Sequence, residues 1–234
     1  MVDKSYCKTN IDINFIKAIK LLDEHKISYW VCHGSLLGLI RDGNLIPWDH
    51  DIDLAVWETD HKKKEILDIF ILAGFKLKDN NVMGSLHFVR EGGRGVDINF
   101  YQELQSFDNH LGPLVGVIWR MPRSRVGAMF NIIFQNQEYR GEYKSLYKVV
   151  TLFQILFIPI YKILDRLNLL FVMKGYTTPK LLLSKFIFVD YFGVSCRIPE
   201  NSEEILSFLY GSDWRTPVRE YDWTTQSSSV VTID

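Results

Sequence analysis

The stretch Ile46-Pro47-Trp48-Asp49-His50-Asp51-Ile52-Asp53-Leu54-Ala55-Val56-Trp57 sets three aspartates in five positions just ahead of an aliphatic run. From Asp51 the residues alternate. Ile52, Leu54 and Val56 fall to one side and Asp51, Asp53 and Ala55 to the other, which predicts a strand with an acidic face. Aspartates at i and i+2 of a strand point the same way, close enough to share a hard cation. Without a cation such a cluster is costly, because like charges raise each other's pKa. A divalent ion held by carboxylates neutralises phosphate charge and lowers the pKa of an attacking hydroxyl, so the pattern points to metal-dependent phosphoryl transfer at Asp51 and Asp53. Oxygen ligands without neighbouring cysteines or paired histidines favour Mg²⁺ or Mn²⁺. Such a DxD also arises by chance on solvated strand faces, so the surrounding sequence has to decide. Asp49, ahead of the alternation, reads equally as a turn or cap residue and as part of a site.

Upstream, Phe15, Ile16, Ile19 and Leu22 recur at helical spacing with Asn10 or Asp12 available as cap. Residues 27–32 read as a strand that stops at His33-Gly34-Ser35 before Leu36, Leu37, Leu39 and Ile40, giving strand, tight turn, helix. The Gly34-Ser35 turn lets backbone N–H groups approach a phosphate at a helix N-terminus, and the Ser35 hydroxyl offers one more donor. Arg41, at the end of that helix, is a candidate phosphate ligand or a partner of Asp42 or an active-site aspartate. His33 and His50 border the site and read as hydrogen-bonded structural residues. Downstream, Thr59 caps a helix carrying Ile66, Ile69 and Phe70, and Gly74 closes it. Strands follow at 75–78 and 85–90, then the turn Gly92-Gly93-Arg94-Gly95 leads into 96–101. There Asp97, Asn99 and Tyr101 take the polar face, and Asp97 is the candidate third carboxylate, binding the metal or taking the acceptor's proton.

The chain has 234 residues, 47% hydrophobic, with a net charge of −1. That is enough to bury a full core and carries no basic surplus for nucleic acid. Cys7, Cys32 and Cys196 have no CxxC spacing, which argues against a disulfide framework or a zinc site and for reducing cytosol. The first residues lack the apolar core of an export signal, so a cytoplasmic location is expected. Periodicity is poor over 104–148. Residues 149–173 are strongly apolar but interrupted by charges; their longest uncharged stretch, 149–161, is too short to span a bilayer, and the segment suits helix packing or peripheral membrane contact. Near the end, 202–211 reads as a short helix, and 224–234 as a loose, serine-rich tail.

The residues from His33-Gly34-Ser35-Leu36-Leu37-Gly38-Leu39-Ile40-Arg41-Asp42-Gly43 to Ile46-Pro47-Trp48-Asp49-His50-Asp51-Ile52-Asp53 resemble the signature of the LicD family, and Leu209-Tyr210-Gly211-Ser212-Asp213-Trp214 with Pro217 is similar to its closing motif. The family includes bacterial phosphocholine transferases of surface glycans and is related to fukutin and fukutin-related protein, which transfer ribitol phosphate. The resemblance implies a nucleotidyltransferase α+β fold, a mixed β-sheet flanked by helices, with a C-terminal helical region. A single domain is expected over 1–234: a nucleotidyltransferase core at 1–103, a helical or inserted region with no assigned role at 104–197, the closing motif at 198–223 and a loose tail at 224–234. It implies Asp51, Asp53 and Asp97 at the metal positions, a cytidine diphosphate (CDP)-linked donor such as CDP-choline, and a sugar or lipid-linked glycan acceptor in capsule, lipopolysaccharide or teichoic acid assembly. Trp48, Trp214, Tyr221 and Trp223 would then be available as a cation–π cage for choline, or as packing. His50 departs from the family pattern, where many relatives have an acid. Two other readings stay open: a nucleotidyltransferase acting on a sugar, protein or small molecule, and a noncatalytic glycan-biosynthesis scaffold.

Overall fold

The computed structural model describes residues 11–60, 63–78, 84–109, 112–134 and 151–233. In chain order these form α1 (Ile13–Glu24), β1 (Tyr29–Val31), α2 (His33–Asp42), β2 (Asp51–Trp57), α3 (Lys63–Leu72), β3 (Lys76–Leu77), β4 (Ser85–Val89), β5 (Gly95–Asn109) and β6 (Gly112–Pro122). Then come α4 (Arg125–Phe134), α5 (Gln154–Arg166), β7 (Phe171–Pro179), β8 (Phe186–Tyr191), β9 (Val194–Pro199), α6 (Ser202–Tyr210), α7 (Trp223–Gln226) and β10 (Val230–Ile233). The chain divides into two compact units, one comprising residues up to Val117 with Tyr176–Val230, the other Ile118–Gly175 with the last residues from Val231.

The first unit is a mixed sheet with helices against it. β1 pairs antiparallel with β2, β2 parallel with β5, and β4 antiparallel with β5. The parallel pair is possible because the chain returns through α3, β3 and β4 between the two strands. α1 starts where the Asp12 carboxylate accepts the N–H groups of Asn14 and Phe15 at 2.9 and 3.1 Å. Its Phe15, Ala18, Ile19 and Leu22 are fully buried, with Ile52, Leu54 and Val56 of β2 and Val96 and Ile98 of β5 in the same core. On the other face of the sheet, Ala55, Asn99 and Tyr101 are buried while Asp51, Asp53 and Asp97 stay half-buried. The acidic face is thus covered at one end of the strands and open at the other. The hairpin of β8 and β9 packs Val194, Cys196 and Ile198 into this core, beside β1 and α1. Its turn places Phe192 and Gly193 at φ 49° and 78°.

The second unit is small. Phe130 of α4 meets Leu170 and Phe171, and Phe157, Tyr161 and Leu164 of α5 pack on them. Arg120 pairs with Asp165 and lies over the Phe171 ring. No residue of α5 is buried, and no helix among the described residues is long and apolar enough to cross a membrane.

Two expectations are corrected. Residues 104–197 are not only helical: the end of β5, all of β6 to β8 and the start of β9 lie there, because β-branched and aromatic residues at 112–122 and 171–199 find strand partners that the sequence alone does not display. The end of the chain is ordered rather than loose. Asp222 caps α7, Ser227 Oγ donates to the Leu209 carbonyl at 2.7 Å, and buried Ser229 accepts the Thr177 N–H at 2.9 Å. The serines serve as backbone partners there, not as a solvated tail. Residues 135–150 and the expected cap Asn10 lie outside the described residues.

Candidate active site

β1 runs into α2 beside the start of β2. Cys32 N–H donates to the Asp53 carbonyl at 3.1 Å, and Asp53 N–H to Ser35 Oγ at 2.9 Å. Ser35 N–H in turn faces Asp53 Oδ2 at 3.4 Å. The Asp53 carboxylate therefore meets the positive end of the α2 dipole. A Cβ built on Gly34 would lie 2.5 Å from Asp49 Oδ2 and 3.4 Å from Asp53 Oδ2. Glycine is needed here for close approach of two carboxylates.

One carboxylate oxygen each from Asp49, Asp51 and Asp53 lies within 4.8 Å of the others, a set that can hold a metal ion. Asp49 belongs to the turn before β2, where its N–H donates to the Ile46 carbonyl at 3.1 Å and its Oδ1 accepts the His50 N–H at 3.0 Å. Burial, then the hydrogen bond and charge of Asp51, push Asp49 up to about 7, against the pull of the His50 N–H and Arg94. Burial, then the charges of Asp51, Asp97 and Asp49, hold Asp53 well above the usual carboxylate range.

Asp97 stands opposite Asp53 in the β2–β5 register and opposite His87 in β4. His87 Nδ1 lies 2.8 Å from Asp97 Oδ1, and His87 Nε2 is buried with no hydrogen-bond partner among the described residues. The Asp97–His87 pair therefore adjoins the aspartate cluster, while the cluster itself takes Asp49 in addition to the expected Asp51 and Asp53. His33 adopts φ 46°, meets the Tyr101 hydroxyl at Nε2 at 3.2 Å and sits edge-on to Tyr176, ring centroids 4.5 Å apart. Burial lowers its pKa to about 4, so it is neutral at physiological pH. His50 is exposed and its carbonyl accepts the Gly95 N–H at 3.2 Å, which ties β5 to β2. An acidic side chain at position 50 is not needed for that tie.

Other expected contacts have partners of their own. Arg41 forks onto Asp42, at 2.9 and 2.7 Å. Trp48 lies under Arg219, and Trp214 is buried with Arg215 on its face. The Tyr221 hydroxyl donates to the Leu209 carbonyl at 2.9 Å and its ring meets Tyr210, whereas the exposed Trp223 meets Tyr176. Each of the four aromatics thus has a packing or hydrogen-bond partner of its own. His87 and Tyr176 were not singled out by sequence. Alternation in 85–89 sets His87 with Ser85 on one face of β4, but its place opposite Asp97 comes from the pairing of β4 with β5.

Carboxylates from neighbouring strands of a mixed sheet, gathered at a helix N-terminus, define a nucleotidyltransferase-like α+β domain. Residues 26–113, from β1 into β6, match the family "LicD/FKTN/FKRP, nucleotidyltransferase domain". Over 216 residues, 91% of the chain, there is 23% identity to the ribitol-5-phosphate transferase FKTN of Macaca fascicularis, covering 35% of that protein. Over 93 residues, 40% of the chain, there is 32% identity to the ribitol 5-phosphate transferase FKRP of Homo sapiens, covering 17% of it. An uncharacterized protein of Rickettsia typhi is 33% identical over 90 residues, 38% of this chain and 28% of its own. The chain thus spans about a third or less of the length of these relatives. Among solved structures, the lincomycin-bound lincosamide antibiotic adenylyltransferase LnuA is similar with a TM-score of 0.41 and 11% identity, over 82% of each chain.

Proposed function

We propose that the chain transfers a phospho-alcohol, phosphocholine or a polyol phosphate, from a CDP-activated donor to a sugar hydroxyl of a glycan or its lipid-linked precursor. The observation that carries this reading is the convergence of Asp49, Asp51 and Asp53 within 4.8 Å, in a segment whose relatives include ribitol-phosphate transferases. The donor atoms are all carboxylate oxygens, and burial together with the neighbouring carboxylate charges raises Asp49 and Asp53, which suits a hard divalent cation such as Mg²⁺ or Mn²⁺. When bound, that cation would supply charge neutralisation at the donor's diphosphate.

The protein's own groups do the rest. Gly34 leaves room for the carboxylates, Ser35 fixes Asp53, and the start of α2 favours anionic oxygen. Asp97, held by His87, takes the proton of the attacking sugar hydroxyl, and cytidine monophosphate leaves.

The test is incubation of purified protein with CDP-choline, CDP-ribitol or CDP-glycerol, Mg²⁺ and a glycan acceptor, with release of cytidine monophosphate measured. Release with one of these donors that falls to background in Asp53→Asn is expected. Release that survives Asp53→Asn overturns the metal assignment, and failure to bind any cytidine nucleotide with metal present favours a noncatalytic scaffold.

A further inference from the structure

Leu152, just ahead of α5, and Ile155, Leu156, Ile160, Ile163 and Leu167 recur at three- and four-residue spacing, which sets them in one stripe along the helix. Their relative exposures run from 49% to 77%. The opposite side of α5, Phe157, Tyr161 and Leu164, is the side that packs on Phe130 and Phe171. The stripe is therefore not the core face of its unit. Single exposed apolar residues are ordinary, but a contiguous row of six marks a surface that is covered in use.

Charge indicates what covers it. Among the described residues of this unit, Arg120, Arg123, Arg125, Lys162, Arg166 and Lys174 stand against Asp165 alone, which is paired with Arg120. Residues 118–175 as a whole carry nine Lys and Arg against three Asp and Glu, leaving eighteen against twenty-five elsewhere. The near-neutral total conceals a basic unit. At about 100° per residue, Lys162 and Arg166 fall along one border of the stripe, beside Ile155, and both are exposed. A twofold contact with a second copy would set this same basic patch against itself. A helix of 13 residues is about 20 Å long, enough to lie in a membrane interface and too short to span the bilayer.

We propose that α5 docks this unit on an anionic lipid bilayer, its apolar stripe entering the acyl boundary while Lys162 and Arg166 meet lipid phosphates. The docking does not rest on the proposed reaction.

Co-sedimentation of the full chain with vesicles of phosphatidylcholine alone, and of phosphatidylcholine mixed with phosphatidylglycerol, tests it without reading any chemistry. Binding to the mixed vesicles, little to the neutral ones, and release as salt is raised are expected. Lys162→Glu with Arg166→Glu weakens the partition about tenfold or more, and Leu156→Ser with Ile163→Ser does likewise. Both double variants keep the parental thermal midpoint and the parental release of cytidine monophosphate from the CDP-linked donor when a soluble acceptor is supplied. The idea is overturned by absence of binding, by equal binding to neutral vesicles, or by a charge-reversed pair that binds like the parent. A lipid-free dimer abolished by Leu156→Ser with Ile163→Ser would assign the face to a second copy instead. Should that apolar variant fail to fold, the charge pair and the salt dependence still decide.

Discussion

A methyl group at Gly34 would meet Asp49 Oδ2 at 2.5 Å, well inside contact distance, and the neighbours are carboxylates held in place by Ile46, His50 and Ser35. Gly34→Ala is thus expected to push Asp49 away from Asp51 and Asp53, at an overpacking cost of about 1–3 kcal/mol. Transfer should fall on the order of a hundredfold, as displacements of about 1 Å at a reacting centre do, while the circular dichroism spectrum stays parental. Titration of Mn²⁺ by calorimetry would separate loss of metal from loss of donor. His87 acts one step further out. Its 2.8 Å contact fixes the Asp97 carboxylate, so His87→Ala should lower turnover roughly tenfold to a hundredfold, the usual range for a partner behind a ligand, with little change in KM. An unchanged turnover would remove His87 from the site. At this scale the sequence was partly readable. Period-two alternation is enough to put Asp51, Asp53 and Asp97 on one sheet face, but Asp49 arrives by a turn, and His87 by a pairing between strands, that no local spacing encodes.

Among the elements, α1 is tied to the site through the turn before β5. Asn14, fully buried, donates to the carbonyls of Arg90 and Arg94 at 2.9 Å each, and Asp12 Oδ2 accepts the Arg94 N–H at 3.0 Å. The Asp12 carboxylate thus caps a helix and holds the turn that sets β5 against β2. Asp12→Ala should cost about 1–2 kcal/mol, more than an ordinary cap, since two sets of N–H groups lose their acceptor. The thermal midpoint would drop by several degrees, and a drop no larger than that of a surface substitution such as Glu24→Ala would deny the link. Helices with regular apolar spacing, α1, α2 and α6, were legible in the sequence. The β8–β9 hairpin was not, because its turn uses Phe192 where Asn or Asp would ordinarily announce two positive φ angles.

For the whole molecule, the aspartate cluster is expected to make stability depend on pH and, if it holds the proposed cation, on metal as well. Folding raises Asp49 to about 7 and Asp53 above its ordinary range. Between the unfolded carboxylate range near pH 4 and those folded values, the native state holds more protons than the unfolded one. Without a cation, stability is therefore full at the acid end of that window and lost as pH rises through it. The loss, discounted for the partial exposure of Asp49, is on the order of 1–2 kcal/mol, or several degrees between about pH 5 and pH 8. Mg²⁺ or Mn²⁺ should restore more at the higher pH, and scanning calorimetry with and without chelator would show it. A metal effect equal at both pH values would argue against ligation by these carboxylates. The same register has a temporal side. Parallel pairing of Asp51 with Gly95 and Asp53 with Asp97 joins segments more than forty residues apart, so it must close a long loop, and at neutral pH it must also bring like charges side by side. Assembly of this pair is the step at which a bound divalent ion would speed refolding, so the chain would reach its native state faster in the presence of the proposed cation.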